Sequence, residues 1–358
     1  MKLSFSNKAI TGLVTIVPTH ERKFVDEMAS FNFSPARSLK LAEVMGYDRH
    51  RIVKGPICSS DLAVAALDHL FKQGNLRSED IGALIFVTQS PDYLMPGTSK
   101  VVHGRLGLHR DVFCLDINEG CAGFVVGAMI GFMLLDQPSI KKVVLVNADV
   151  LSRKVSPRDR NSYPLIGDAA SVTVLERRAD VAPIEARLKM DGAGHEALII
   201  PAGGMRLPTS AATAEQVQDD EGNFRALDNL KMDGSAVFNF VLTEVPELIG
   251  SLLTETGTSV EDVDAFLCHQ PNRFMLNKLA DKLGVPHEKL PSNVVGEFGN
   301  SSGVTIPMAA VSNLADRLIA ERLRVCLSGF GVGLTWGSML MDLGPLEFCE
   351  MIEFTEDD

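Results

Sequence analysis

Apolar and polar positions along the chain fall into two recurring patterns. Short apolar runs rich in β-formers occur at 83–88, 112–117, 143–146, 171–175, 265–268, 325–327 and 334–341. Longer stretches with helical spacing lie between them, at 59–73, 98–106, 121–135, 234–256, 273–283 and 304–320. Strand-length runs alternating with helix-length runs predict an α/β fold, and the continuous apolar character of the strands predicts sheets covered on both faces. From about 206 to 229 the pattern lapses: Pro208, a Ser/Thr/Ala cluster and Asp219-Asp220-Glu221-Gly222 read as an excursion loop. The acidic end Glu356-Asp357-Asp358 reads as frayed. The run Gly167-Asp168-Ala169-Ala170-Ser171-Val172-Thr173-Val174-Leu175 is echoed by Gly331-Val332-Gly333-Leu334-Thr335-Trp336-Gly337-Ser338-Met339-Leu340. Two glycine-led strands, each closing a half of the chain, predict an internal duplication divided near residue 178, into halves 1–178 and 179–358.

Composition narrows the class without naming the chemistry. A chain of 358 residues is long enough for two domains, or for two halves around one core. Hydrophobic residues at 46% and charged residues at 22% suit a globular protein with many covered elements. The formal charge of −12 argues against nucleic acid or an anionic membrane surface as partner, because both call for a basic field. No apolar run reads as a membrane span, and the start Met1-Lys2-Leu3-Ser4-Phe5-Ser6-Asn7-Lys8 lacks the apolar core of a secretory signal, so the cytoplasm is the expected location. The six cysteines, Cys58, Cys114, Cys121, Cys268, Cys326 and Cys349, form no Cys-x-x-Cys pair. Neither a zinc ribbon nor a small disulfide framework fits, and reduced thiols with no metal site are expected.

Candidate chemistry begins at Asp-Ile-Asn-Glu-Gly-Cys-Ala-Gly-Phe, residues 116–124, where Cys121 sits between glycines after a strand pattern and before an apolar helix pattern. Unpaired N–H groups at a helix start favour an anion such as a thiolate and lower a cysteine pKa. His269 closes the strand pattern 265–268 and would emerge at its C-terminal end, the edge where open α/β sheets collect their chemistry. Asn300 lies in the glycine-flanked run Gly299-Asn300-Ser301-Ser302-Gly303. Each residue taken singly has a plain structural reading: a small buried filler, hydrogen-bonded scaffolding, a turn or cap asparagine.

Read with Ser90-Pro91-Asp92-Tyr93-Leu94-Met95-Pro96-Gly97-Thr98, Gly167-Asp168-Ala169-Ala170, His269-Gln270-Pro271-Asn272 and residues 329–338, these segments resemble, in the same order, the motifs of β-ketoacyl-acyl-carrier-protein synthase III over most of residues 80–342. The resemblance implies the thiolase fold, two similar α/β halves in a layered αβαβα arrangement, as a homodimer. It implies acyl transfer from a coenzyme A or carrier-protein thioester to Cys121, then decarboxylative Claisen condensation with a malonyl thioester, with no tightly bound cofactor. His269 and Asn300 would come from the second half to act as proton acceptor and enolate donors. The backbone N–H groups of Cys121 and Val332 would form the oxyanion hole. Asn272, Gly234 and Phe238 match positions along the pantetheine channel, and Arg160 is placed to meet a phosphate. Arg273, Lys278 and Lys282 match a basic patch for docking acyl carrier protein, with Lys278 and Lys282 sharing a helix face. Their plain reading is a solvated face.

Three departures bear on specificity. Residues 40–47, Lys-Leu-Ala-Glu-Val-Met-Gly-Tyr, lack the Trp and Arg with which relatives grip the adenine nucleotide of coenzyme A. Glu119 replaces a small residue two positions before the nucleophile; it could raise the thiolate pKa, act as an extra acid or base, or point to solvent. Met95 stands where relatives reach across the dimer interface to shape the acyl pocket. Two rival functions follow: an acyltransferase to an alcohol or amine that loses no CO₂, and a non-catalytic subunit of a heterodimer.

Overall fold

Two mixed sheets carry the chain in the computed structural model, which describes residues 1–355. The acidic end read as frayed, Glu356-Asp357-Asp358, lies outside the described residues. The six-stranded sheet runs in the order Phe348–Phe354, Lys8–Pro18, Ala169–Arg177, Lys142–Asp149, Ile81–Val87, Phe113–Ile117. The five-stranded sheet runs Lys2–Phe5, Ile184–Met190, Thr335–Leu343, Leu323–Gly331, Ala265–Cys268.

A shared four-strand arrangement occurs in both. Ile81–Val87 lies parallel to Lys142–Asp149, which runs antiparallel to Ala169–Arg177, itself antiparallel to Lys8–Pro18. In the second sheet Ala265–Cys268, Leu323–Gly331, Thr335–Leu343 and Ile184–Met190 repeat those relations in that order. The two strands of the sequence echo therefore occupy equivalent places. The division near 178 falls in the link before Ile184–Met190, and the terminal strands cross it in opposite directions: Lys2–Phe5 pairs with Ile184–Met190, and Phe348–Phe354 with Lys8–Pro18.

Period-two patterning on strands buried from both sides explains the continuous apolar runs. Along Ile81–Val87, Ala83, Ile85 and Val87 face the space between the sheets, while Leu84 and Phe86 face outward and are equally buried. The helices Gly123–Leu134 and Thr305–Ala320 fill the space between the sheets, with Phe124, Phe132, Ile306 and Met308 packed among Leu145, Leu175, Leu327 and Met341. Ser59–Gln73 covers the outer face of the first sheet through Leu62, Leu67 and Leu70. Gly234–Thr256 and Arg273–Leu283 cover that of the second through Val245, Leu252 and Leu276. Helix, sheet, helices, sheet, helix: these are the five layers of the thiolase fold.

Among the described helices, Gly234–Thr256 alone is long and apolar enough to cross a membrane by length and composition. Its apolar side, however, belongs to the core against Phe266 and Leu340. Within the two large sheets the strands Lys2–Phe5, Lys8–Pro18, Ile184–Met190 and Phe348–Phe354 escape the sequence pattern, as do the helices Phe24–Glu27, Pro35–Met45 and Val294–Phe298 and several strands of two or three residues. A register shift between Ile10 and Gly12 breaks the periodicity of Lys8–Pro18. In Ile184–Met190 a buried Arg187 pairs with Glu255, so a charge sits where the pattern requires an apolar residue. The excursion at 206–229 is irregular, with two-residue strands at Val217–Gln218 and Phe224–Arg225.

Candidate active site

Cys121 is delivered by the turn between the edge strand Phe113–Ile117 and the central helix. Gly123 N–H donates to the Gly120 carbonyl at 2.7 Å, closing that turn, and the helix begins at Gly123, two residues later than the pattern predicts for its start. The strand Leu323–Gly331 of the second half lies directly against it. A Cβ on Gly331 would stand 2.6 Å from the Cys121 Cβ and 2.9 Å from its sulfur, so only glycine permits this approach.

Burial, rather than the helix terminus, dominates the thiol. Enclosure by protein pushes the Cys121 pKa up to about 12, and the Asp149 carboxylate adds to the push. Hydrogen bonding to Ser302 and to the backbone N–H groups of Val332 and Cys121 opposes it. This corrects the expectation of a lowered pKa: these hydrogen bonds do not offset the loss of water around sulfur. Cys121 still keeps partial exposure, because its side chain opens into a cavity.

His269 follows the strand Ala265–Cys268, its N–H bonded to the Ser328 carbonyl at 2.8 Å and its ring edge-on to Phe330 at 5.6 Å. The ring Nδ1 lies 2.8 Å from Thr305 Oγ1. That hydroxyl donates to the Ser302 carbonyl at 2.9 Å, so toward the ring it is an acceptor. The network therefore assigns the proton to Nδ1 and leaves a lone pair on Nε2. Burial lowers the His269 pKa to about 3, with Ser302 backbone bonding in opposition, so the imidazole is neutral at pH 7.

Asn300 is held from both halves. Its N–H donates to the Leu165 carbonyl at 2.7 Å, and its own carbonyl accepts from Gly167 N–H at 3.2 Å. Ser302 N–H donates to Asn300 Oδ1 at 2.9 Å, which leaves the side-chain NH₂ as the part able to donate to a ligand. Gly299 and Gly167 make this contact: a Cβ on Gly167 would fall 2.1 Å from the Phe298 carbonyl oxygen.

All three residues line one cavity of about 910 Å³, together with Asn272, Gly234, Phe238 and Arg160. A second cavity of about 370 Å³ shares Cys121 and Asn300 and continues among Leu151, Leu165, Ile166, Leu198 and Leu230. Cys121 thus stands where a channel lined by both polar and apolar side chains meets an apolar pocket. Asn272 caps the helix Arg273–Leu283 by accepting from Met275 N–H at 2.8 Å, so it is both the plain helix cap and a channel residue.

Several expected contacts are otherwise engaged. Arg160 donates to the Glu221 carbonyl at 2.8 Å and to Asn223 Oδ1 at 2.9 Å. Arg273 donates to the Glu43 carbonyl at 2.6 Å, and Lys278 lies 3.6 Å from Asp281, so the basic face around Lys278 and Lys282 is of mixed charge. Met95 is 85% exposed and lines neither cavity of its own chain. Glu119 lines neither cavity as well; its carboxyl accepts from Thr335 at 3.3 Å, and burial raises its pKa. The carboxylate acting on Cys121 is Asp149 instead. Asp149, Ser302 and Thr305 were not singled out from sequence. The only signal is position: Ser302 and Thr305 follow Asn300 by two and five residues. Among the described residues no group of three or more His, Cys, Asp or Glu side chains is placed to hold a metal ion.

Comparison with known proteins meets this geometry. Residues 115–192 match the family 3-oxoacyl-[acyl-carrier-protein (ACP)] synthase III, and residues 253–343 match its C-terminal part. A putative 3-oxoacyl-[acyl-carrier-protein] synthase 3 of Campylobacter jejuni is 30% identical over the full length of both chains. A β-ketoacyl-[acyl-carrier-protein] synthase III of Synechocystis is 34% identical over 80% of this chain and 85% of its own. The crystal structure of a 3-oxoacyl-(acyl-carrier protein) synthase from Burkholderia xenovorans superposes with a TM-score of 0.91, at 34% identity and 99% coverage of both chains. The convergence of Cys121, His269 and Asn300 and these relatives lead to one assignment: the chain belongs to the β-ketoacyl-acyl-carrier-protein synthase III family of condensing enzymes.

Proposed function

We propose that Cys121 accepts an acyl group from a thioester and that the acyl-enzyme then condenses with a malonyl thioester, with loss of CO₂. The observation that carries the reading is the convergence of a neutral thiol, a neutral imidazole with a free Nε2 and an asparagine NH₂ on one cavity. In the first half-reaction His269 Nε2 takes the thiol proton as sulfur attacks the thioester carbonyl. The oxyanion is held by Cys121 N–H and Val332 N–H, both directed at the sulfur position. Collapse expels the donor thiolate, which takes the proton from Nε2 and leaves as a thiol.

In the second half-reaction the bond between the malonyl carbon and its carboxylate breaks, CO₂ departs, and the electron pair moves to an enolate oxygen. Asn300 NH₂ donates to that oxygen. His269 donates as well in its other neutral tautomer, reached when Nε2 takes a proton from solvent in the cavity and Nδ1 gives its proton up to solvent, after which the Thr305 hydroxyl donates to Nδ1. The enolate carbon attacks the acyl carbonyl, the C–S bond to Cys121 breaks, and the thiolate regains a proton from solvent. Pantetheine would lie along Asn272, Gly234 and Phe238, and the acyl chain in the apolar pocket.

The same reading places the enzyme in the cytoplasm as a homodimer that engages acyl carrier protein through Arg273, Lys278 and Lys282. Support for the dimer comes from the open edge of the six-stranded sheet, where Phe113 is 48% exposed, and from the exposed Tyr93-Leu94-Met95.

Intact-protein mass spectrometry with acyl thioesters tests the first step. One acyl mass is expected on the native chain and none on Cys121→Ala; acylation of that variant would refute the nucleophile. Labelled CO₂ release from carboxyl-labelled malonyl thioester by the acyl-enzyme tests the second, and its absence would leave acyl transfer to another acceptor as the better reading.

A further inference from the structure

Behind the active site a second histidine is buried. His50, 2% exposed, lies in the short strand Arg49–Arg51, against the loop that carries Asn300. A Cβ on Gly299 would stand 2.8 Å from the His50 Cβ and equally close to the Gly167 backbone, so the three segments touch with nothing between them. Glu27, also buried, ends the helix Phe24–Glu27 and places Oε1 3.0 Å from His50 Nε2. The other ring nitrogen, Nδ1, is hydrogen-bonded to the Ile166 carbonyl. A carbonyl only accepts, so Nδ1 carries a proton, and one further proton lies between Nε2 and the carboxyl group. Desolvation offsets most of what such a buried pair gives to stability. Neither residue lines the cavities that Cys121 opens into.

What the pair holds is one peptide unit. The Ile166 carbonyl and the Gly167 N–H belong to the same trans peptide plane and point to opposite sides of the chain. His50 holds the carbonyl, while the N–H donates to the Asn300 carbonyl at 3.2 Å and completes the bridge between Ile166 and Asn300. We propose that His50, steadied by Glu27, is a positioning residue for Asn300: it fixes the plane of the 166–167 peptide, and through it the direction in which the Asn300 NH₂ meets the enolate oxygen. Ser302 N–H holds Asn300 Oδ1 at 2.9 Å, which orients the amide only relative to its own loop. The 166–167 peptide sets where that loop stands. A hydrogen bond at the carbonyl also polarises the peptide and strengthens its N–H as a donor. Among the described residues, neither Cys121 nor Val332 is hydrogen-bonded to this peptide, so the effect is specific to the second half-reaction. The inference rests on the reading of Asn300 as a donor to the enolate.

The two half-reactions, measured separately on one full-length chain, test this. Acetyl thioester serves as donor, because Leu165 and Ile166 also line the apolar pocket and a longer chain would report on its walls. His50→Phe keeps the buried ring but removes the donor to Ile166. It is expected to leave acetylation of Cys121 near the native rate and to slow CO₂ release from malonyl thioester about tenfold to a hundredfold, the effect of a misplaced group. In an Asn300→Ala background the same change should slow CO₂ release by no more than about twofold, because a residue acting through Asn300 has nothing left to position. Glu27 supplies a second arm should His50→Phe not fold. Glu27→Gln can donate to Nε2, leaves the proton on Nδ1 and should keep most of the native CO₂ release. Glu27→Leu frees the ring to take its other tautomer and should lose it. Equal slowing of both half-reactions by His50→Phe overturns the proposal, as do an undiminished effect in the Asn300→Ala background and equal rates in the two Glu27 variants. If Asn300→Ala alone leaves CO₂ release unchanged, the role given to Asn300 falls, and this inference with it.

Discussion

At the scale of single residues, the proposed reaction depends on two neutral groups meeting in a dry place. Burial holds the Cys121 thiol near 12 and the His269 imidazole near 3, so between those values the pair rests as thiol and base. In the proposed reaction, attack needs a proton transfer along one line, and Thr305 sets that line by fixing which nitrogen of His269 is free. Thr305→Val keeps the shape but leaves Nδ1–H and the Gln270 N–H, 3.3 Å from Oγ1, without an acceptor. We expect it to lower the acylation rate about a hundredfold, the cost of a misaligned base, with unfolding still cooperative. Thr305→Ser should restore most of the rate. A Thr305→Ser enzyme as slow as Thr305→Val would show that packing, not the hydroxyl, matters. Cys121, His269 and Asn300 were readable as residue types at strand and turn ends. Asp149 and Thr305 were not, because nothing in their local sequence distinguishes a structural hydroxyl or carboxyl from one facing the site.

At the scale of elements, the site exists because strands and helices of the two halves approach without side chains between them. Three glycines of the central helix, Gly123, Gly127 and Gly131, lie against Val87, Leu145 and Leu175, where any Cβ would come within 2.6 Å of a methyl group. The i, i+4, i+8 spacing puts them on one helix face and explains an otherwise apolar helix with a smooth side. Gly331 plays the corresponding part for the second half. Gly331→Ala should displace Cys121 by forcing its Cβ away, cutting acylation about tenfold to a hundredfold. Thermal unfolding should shift less than for a large-to-small change of the buried Phe132, where Phe132→Ala costs about 3–5 kcal/mol. Retained activity in Gly331→Ala would mean that the strand can retreat without moving Cys121.

At the scale of the molecule, the described chain ends its larger sheet in the strand Phe113–Ile117, one edge unpaired, with Phe113 exposed and the Tyr93-Leu94-Met95 loop uncovered. Edges of this kind pair with another chain or are blunted. In the proposed homodimer, with Met95 reaching the partner's acyl pocket, Phe113→Glu should give a monomer in sedimentation velocity and broaden chain-length preference. A native chain that sediments as a monomer would sink the dimer.

Periodicity and glycine placement already held much of this architecture. Apolar runs of strand length imply sheets buried on both faces, and the echo of 167–175 in 331–340 implies a repeated unit; both follow from local chemistry and read without coordinates. Motif order likewise carried the family. Other features arise from contacts distant in sequence. Lys8–Pro18 and Ile184–Met190 are strands because their neighbours cover a bulge and a buried arginine. Cys121 meets His269 and Asn300, 148 and 179 positions further on, because two sheets stack around a shared pair of helices. Its pKa rises because that stacking removes water, which no helix terminus in isolation would suggest.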